Sequence, residues 1–231
     1  MTDNTEKSFN AAAAVQTHIV YADTAQPFEA YEKYLPLVSS ERRERISRFV
    51  SEKDKIVSLA AELLIRHEAS RRLDIPFSEI AFGYGEHGKP YILNDKSYYF
   101  SVSHSDNCIA FAGEAFPIGI DVERISQGKM KTAKRFFTAN EYGLIEKCSD
   151  PNSAFYKIWT SKEAYVKMLG TGLSKPPRSF DVTDKSLGCR FVTKRLPEFM
   201  LTVCAEKNIS EIIVNETDFE SLLKSAYEKS L

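Results

Sequence analysis

Two acidic side chains one residue apart, Asp121 and Glu123 in Pro117-Ile-Gly-Ile-Asp-Val-Glu-Arg124, lie in a segment where Ile118, Ile120 and Val122 alternate with polar or small residues. That alternation is a strand with one apolar face. Successive strand side chains point to opposite faces, so both carboxylates project from the same side, roughly 6–7 Å apart. A hard divalent cation such as Mg²⁺ takes one or two protein carboxylates plus phosphate oxygens, so the pair predicts metal-dependent chemistry on a phosphorylated substrate. A second segment, Trp159-Thr-Ser-Lys-Glu-Ala-Tyr-Val-Lys167, adds complementary charges. At helical spacing Phe155, Ile158, Trp159, Tyr165, Val166 and Leu169 form one apolar stripe. Lys162 falls inside that stripe, where a core residue is expected, while Glu163 and Lys167 lie four apart on its flank, close enough to act together. Alone, such a helix reads as a snorkelling lysine and a surface ion pair. Beside Asp-x-Glu it predicts a third acid and a cation for the same site.

The elements that must position these groups follow from periodicity and capping. Residues 1–17 read as a flexible N-terminal extension, followed by a short strand at His18–Tyr21. Ser39 and Ser40 are N-cap candidates for a helix over Glu41–Val50, and a longer helix spans Lys53–Leu73 before Pro76. Strands are predicted at Ile80–Tyr84, Lys89–Leu93, Tyr98–Ser103 and Ile109–Gly113. The order then restarts with a strand at Ile118–Ile125, helices near Lys131–Phe137, Glu141–Lys147 and Ala154–Leu169, and strands at Phe180–Thr183, Cys189–Lys194, Met200–Ala205 and Ile212–Val214. A helix over Phe219–Lys229 closes the chain. From patterning alone the class is α+β, with two similar halves, 18–116 and 117–231, meeting near Phe116-Pro117.

Composition removes several function classes. The 231 residues carry a formal net charge of −1, with 43% hydrophobic and 27% charged residues, as in ordinary globular proteins. Nothing favours bulk attraction to nucleic acid or membrane, and no apolar run approaches the roughly 18 residues a membrane span needs. The polar start is a poor signal peptide, and Cys108, Cys148, Cys189 and Cys204 form no C-x-x-C pair. A cytoplasmic protein with free thiols is expected.

Other polar positions extend the site. Arg42 and Arg45 share a helical face with Ile46 and Phe49, an arrangement that suits a phosphate held near a flat base. Lys89 follows the Glu86-His-Gly88 turn and precedes Pro90, which stiffens the loop. His104 shares a strand face with Phe100 and Val102, and Ser103 points the other way. His18, His67 and His87 read as structural. No G-x-S-x-G elbow surrounds Ser103, and no Walker A or G-x-G-x-x-G loop precedes a helix.

Taken together, Gly88-Lys-Pro90, Phe100-Ser-Val-Ser-His104, Gly119-Ile-Asp-Val-Glu123, Arg135-Phe-Phe137 with Glu141, and Trp159-x-x-Lys-Glu-x-x-x-Lys167 followed by Gly170-x-Gly172-Leu173 resemble the 4′-phosphopantetheinyl transferases, in their large single-chain form. The resemblance runs in order from near Ser40 past Phe180. It implies two pseudo-symmetric α+β halves with the active site in the cleft between them. It also implies transfer of 4′-phosphopantetheine from coenzyme A to a serine of an apo acyl or peptidyl carrier protein, with release of 3′,5′-ADP. In that likeness Asp121, Glu123 and Glu163 hold Mg²⁺, Glu163 serves as base, and Lys167 stabilises or protonates the departing phosphate. Arg42, Arg45, Ser58, Lys89, Ser103, His104, Lys162 and Lys167 contact the coenzyme. In Ser126–Phe137, the apolar Met130, Phe136 and Phe137 either receive a carrier helix or form a small core cluster. The chain is expected to be a monomer, since two like halves build the cleft. Two other readings are a coenzyme A or nucleotide-binding module without catalysis and a Mg²⁺-dependent pyrophosphohydrolase.

Overall fold

The helix starts are set by single side chains. Ser39, Ser51, Thr138, Asp150 and Asp218 each accept the amide N–H three residues on, satisfying one of the donors a first turn leaves open. The computed structural model describes residues 12–229, except for the side chain of Leu173. Its strands are β1 (Ala13–Tyr21), β2 (Phe82–Tyr84), β3 (Pro90–Ile92), β4 (Tyr99–Ser105), β5 (Cys108–Glu114), β6 (Ile118–Arg124), β7 (Arg190–Arg195), β8 (Phe199–Ala205) and β9 (Ile209–Glu216). Its helices are α1 (Ser40–Ser47), α2 (Glu52–Leu73), α3 (Met130–Phe136), α4 (Ala139–Glu146), α5 (Pro151–Leu169) and α6 (Phe219–Glu228).

Period-two patterning stacks these elements in layers. One sheet has the order β4-β5-β1-β9 and a second β6-β8-β7, with β2-β3 a separate hairpin. On β5, Ile109 and Phe111 join a core that contains α2 and α6, whereas Cys108, Ala110 and Ala112 face the second sheet. On β6, Ile118, Ile120 and Val122 meet them in that inter-sheet core. The far face of β6 and β8 carries α5, through Ala164, Met168 and Cys204. The molecule is therefore α+β, each half a long helix laid on a mainly antiparallel sheet. Among the described residues no helix is long and apolar enough to cross a membrane.

Three expectations change. Residues 1–11 of the expected extension lie outside the described residues, but Ala13–Thr17 are strand: Val15 is fully buried, and the segment pairs with β9 in parallel. The halves also interlock. Strand β9 adds to the first half's sheet, and Phe219, Leu222, Leu223 and Ala226 of α6 pack in its core, so the end of the chain does not stay in the 117–231 half. The strand expected at Phe180–Thr183 is a loop, because side chains rather than a ladder satisfy its backbone. Lys162 takes the Phe180 carbonyl, Glu141 takes Val182 N and Asp181 takes Thr183 N.

Gly119 sets the spacing of β6 and α5. A Cβ there would overlap the Ala164 carbonyl oxygen and crowd Met168 N, and backbone atoms of a packed helix cannot give way. Gly119→Ala is expected to cost about 1–3 kcal/mol of unfolding free energy, read as a fall in urea midpoint at unchanged slope.

Candidate active site

Edges of the two sheets meet where β4 runs beside β6. They belong to different sheets, and serine side chains join them. Ser101 Oγ accepts Ile120 N at 3.1 Å, Ser103 Oγ donates to Asp121 Oδ1 at 2.7 Å, and Ser105 Oγ donates to Glu123 Oε2 at 2.8 Å. Residues 101, 103 and 105 share a face by strand periodicity, while Phe100 and Val102 turn toward α2.

Helix α5 supplies the other wall. Lys167 Nζ lies 2.7 Å from both Asp121 Oδ1 and Ser103 Oγ. Asp121 Oδ2 is buried with no hydrogen-bond partner among the described residues. Glu163 makes no hydrogen bond or ion pair among the described residues. Its pKa is raised, first by burial and then by Asp121, with Glu123 adding to the effect and Lys167 opposing it. Burial, followed by Asp121, likewise raises Glu123. Of the three acids, Asp121 is the one paired with a lysine among the described residues. Among the described residues no three acidic, histidine or cysteine side chains stand assembled around one metal position. Asp121 faces Lys167 and Ser103, and Glu123 faces Ser105 and Trp159 Nε1 (3.4 Å), so gathering all three acids requires a present partner to be released.

Two cavities join at Lys167. One of about 350 Å³ is lined by Lys89, Pro90, Val102, Glu163, Val166 and Lys167. The other, about 530 Å³, includes Arg42, Arg45, Phe49, Ser58, His104 and Lys167. Arg45 is exposed, its guanidinium 5.9 Å from the Phe49 ring centre, while Arg42 is held by Glu62 Oε2 (3.1 Å) and Ser58 Oγ (3.3 Å). Partial desolvation, then the cations Lys167, Arg45 and Arg42, lower the pKa of His104. Lys89 Nζ donates to the carbonyls of Ile118 (3.3 Å) and Met168 (3.1 Å), and burial lowers its pKa to about 8. Lys89 and Lys167 on one cavity and Arg42, Arg45 and Lys167 on the other give both walls positive charge, an arrangement suited to a polyphosphate.

Sequence comparison decides the family. Residues 26–116 match the model of the 4′-phosphopantetheinyl transferase N-terminal region, and 117–215 that of the 4′-phosphopantetheinyl transferase superfamily. The 4′-phosphopantetheinyl transferase Sfp of Bacillus subtilis (strain 168) is 32% identical over 219 residues, covering 88% of this chain and 98% of that protein. Another Bacillus subtilis 4′-phosphopantetheinyl transferase is 36% identical over 181 residues, 78% of this chain and 80% of its own length. The 4′-phosphopantetheinyl transferase gsp of Aneurinibacillus migulanus is 40% identical over 145 residues, 62% and 60% of the two chains. The chain belongs to the 4′-phosphopantetheinyl transferase family.

The transferase lines the two cavities with Arg42, Arg45, Ser58, Lys89, Ser103, His104, Glu163 and Lys167, with Asp121 bonded to Lys167 and Glu123 two residues further along β6. Lys162 is not among them. That side chain is 1% exposed, and its amine is spent on Glu141 Oε1 (2.8 Å) and the carbonyls of Pro177 and Phe180 (both 2.7 Å). Its place within the apolar stripe made it core in fact, and Glu141, fully buried, is the reason a charge is tolerated there. Ser103 lines the second cavity with its hydroxyl held between Asp121 and Lys167. Phe137, 1% exposed, stacks on Phe155 at 5.2 Å, so it belongs to the core and not to a docking face. Sequence reasoning missed Glu62, a buried acceptor for Ser39, Arg42 and Arg66, for which the i,i+4 spacing to Arg66 was a signal. It also missed Ser105, although the Ser-x-Ser-x-Ser alternation was visible.

Removing one partner of the buried pair should destabilise the transferase strongly. Lys162→Met is expected to lower unfolding free energy by about 3–5 kcal/mol, and Lys162→Met with Glu141→Gln to recover part of it. Denaturant unfolding checks this, and a stable Lys162→Met protein with weakened coenzyme A binding would restore the ligand role.

Proposed function

We propose that this transferase moves 4′-phosphopantetheine from coenzyme A to a serine hydroxyl of an apo acyl or peptidyl carrier protein, with Mg²⁺, and releases 3′,5′-ADP. The observation that carries the metal is Asp121 Oδ2, a buried carboxylate oxygen with no partner among the described residues, beside two further acids whose charged forms their surroundings disfavour. Asp121, Glu123 and Glu163 would hold the ion. When bound, Mg²⁺ would offset charge on the phosphoryl oxygens and the leaving group, the dominant need in phosphoryl transfer.

The chain's own groups supply the rest. Glu163, without a partner, accepts the proton of the carrier serine. The serine oxygen forms a bond to the phosphorus nearer pantetheine, the bond from that phosphorus to the bridging oxygen breaks, and Lys167 meets the charge on the departing 3′,5′-ADP. Arg45, His104 and Ser58, with Arg42 held on Glu62, bind the nucleotide phosphates and thereby orient the pyrophosphate. Lys89 acts on them electrostatically from the cavity wall. The carrier docks on α3, where Met130 and Phe136 are half-buried and Lys131, Lys134 and Arg135 add positive charge; the protein acts as a monomer in the cytoplasm.

Two measurements follow. Incubated with coenzyme A, Mg²⁺ and an apo carrier, the protein should add one phosphopantetheine, about 340 Da, by intact mass, with loss in EDTA. Glu163→Gln should be at least about 100-fold slower. Coenzyme A breakdown without carrier modification would support the hydrolase, and binding without either outcome the non-catalytic module. For pH, a bound phosphate favours protonated Lys89, so its contribution to coenzyme affinity is full below pH about 8 and lost as pH rises through that value. Calorimetric titration of coenzyme A from neutral pH to above 9 should show this fall, and Lys89→Met should bind weakly with the fall removed.

A further inference from the structure

Ser105, at the end of β4, takes no part in the reaction above, yet its hydroxyl is fully committed. Arg124 N donates to Ser105 Oγ at 3.0 Å. A backbone amide can only donate, so the oxygen accepts there and the single hydroxyl proton is directed to Glu123 Oε2, 2.8 Å away. The other carboxylate oxygen, Oε1, faces Trp159 Nε1 at 3.4 Å. That indole is itself fixed, parallel to Phe155 at 6.0 Å and edge-on to Phe136 at 6.1 Å. Glu123 is thus gripped at both oxygens by donors on different elements, and each oxygen keeps a lone pair for a cation. Glu123 has one more rotatable bond than Asp121 and is only half-buried, so its carboxylate needs more restraint than that of Asp121.

We propose that Ser105 is a positioning residue that aims the Glu123 carboxylate at the metal. The inference rests on the ligand set assigned under Proposed function. Ser101 supplies the internal comparison: it belongs to the same seam and accepts Ile120 N, but serves no carboxylate.

The test uses the full chain with saturating coenzyme A and no carrier, titrated with Mg²⁺, reading emission from Trp159, the single tryptophan of the sequence. Ser105→Ala should need roughly tenfold more Mg²⁺ or beyond for the half-maximal response, as removing an orienting partner does in metal sites. Ser105→Thr, which keeps the hydroxyl, should recover most of the affinity. Ser101→Ala should lower the melting temperature and leave Mg²⁺ affinity unchanged. Parent-like affinity in Ser105→Ala overturns the proposal, as does an equal loss in Ser101→Ala, which would assign the effect to the seam as a whole. A parent protein that binds no Mg²⁺ by emission or calorimetry overturns the ligand set and this role together. A responsive parent with an unaffected Ser105→Ala overturns the positioning role alone.

Discussion

The site depends on how two sheet edges meet. Open edges carry unpaired backbone groups and have to be covered or satisfied. Here β4 and β6 belong to different sheets, and serine hydroxyls reach across for the amides of Ile120 and Arg124. Because the serines alternate with Phe100 and Val102, the same strand anchors the α2 core with one face and holds Asp121 and Glu123 with the other. The carboxylates stand where they do because the seam is made of side chains short enough to keep the strands together and polar enough to bind acids.

Charge balance separates structure from function along α5. Lys162 and Glu163 are neighbours, turned about 100° apart on the helix. Lys162 points into the core, where Glu141 and two carbonyls answer every need of its amine. Glu163 points to the cleft, where two further acids oppose its ionisation and only Lys167 favours it. A completed buried pair holds the Pro177–Phe180 loop, whereas the cleft acids are left with unbalanced charge. Unbalanced groups of this kind mark sites at which a ligand provides the missing charge.

Interlocking keeps the two chambers in register. Strand β9 pairs with β1, α6 packs beside α2, and ion pairs of Asp106 with Lys53 and Arg124, and of Arg124 with Glu198, cross between the halves near the seam. Lys89 adds a further tie, reaching from the β2–β3 turn to carbonyls at the start of β6 and the end of α5.

The sequence by itself determined the class of the fold, most of the strands and helices, the Asp-x-Glu strand, and the helix bearing Glu163 and Lys167, because those depend on local period and on spacing within one element. The cap at Ser39 was legible for the same reason. Only the tertiary structure decided that Lys162 is core and Glu163 is cleft, since the two differ by which sheet and loop α5 meets. Likewise, only it decided that Phe180–Thr183 is loop, that Ala13–Thr17 is strand, and that Ser105 grips Glu123. Each of these depends on a partner distant in sequence: Glu141 for Lys162 and Val182, β9 for Ala13–Thr17, and β6 for Ser105. Local pattern states what a segment can bury or bond, whereas the identity of the distant group that satisfies it is fixed only when the chain closes on itself.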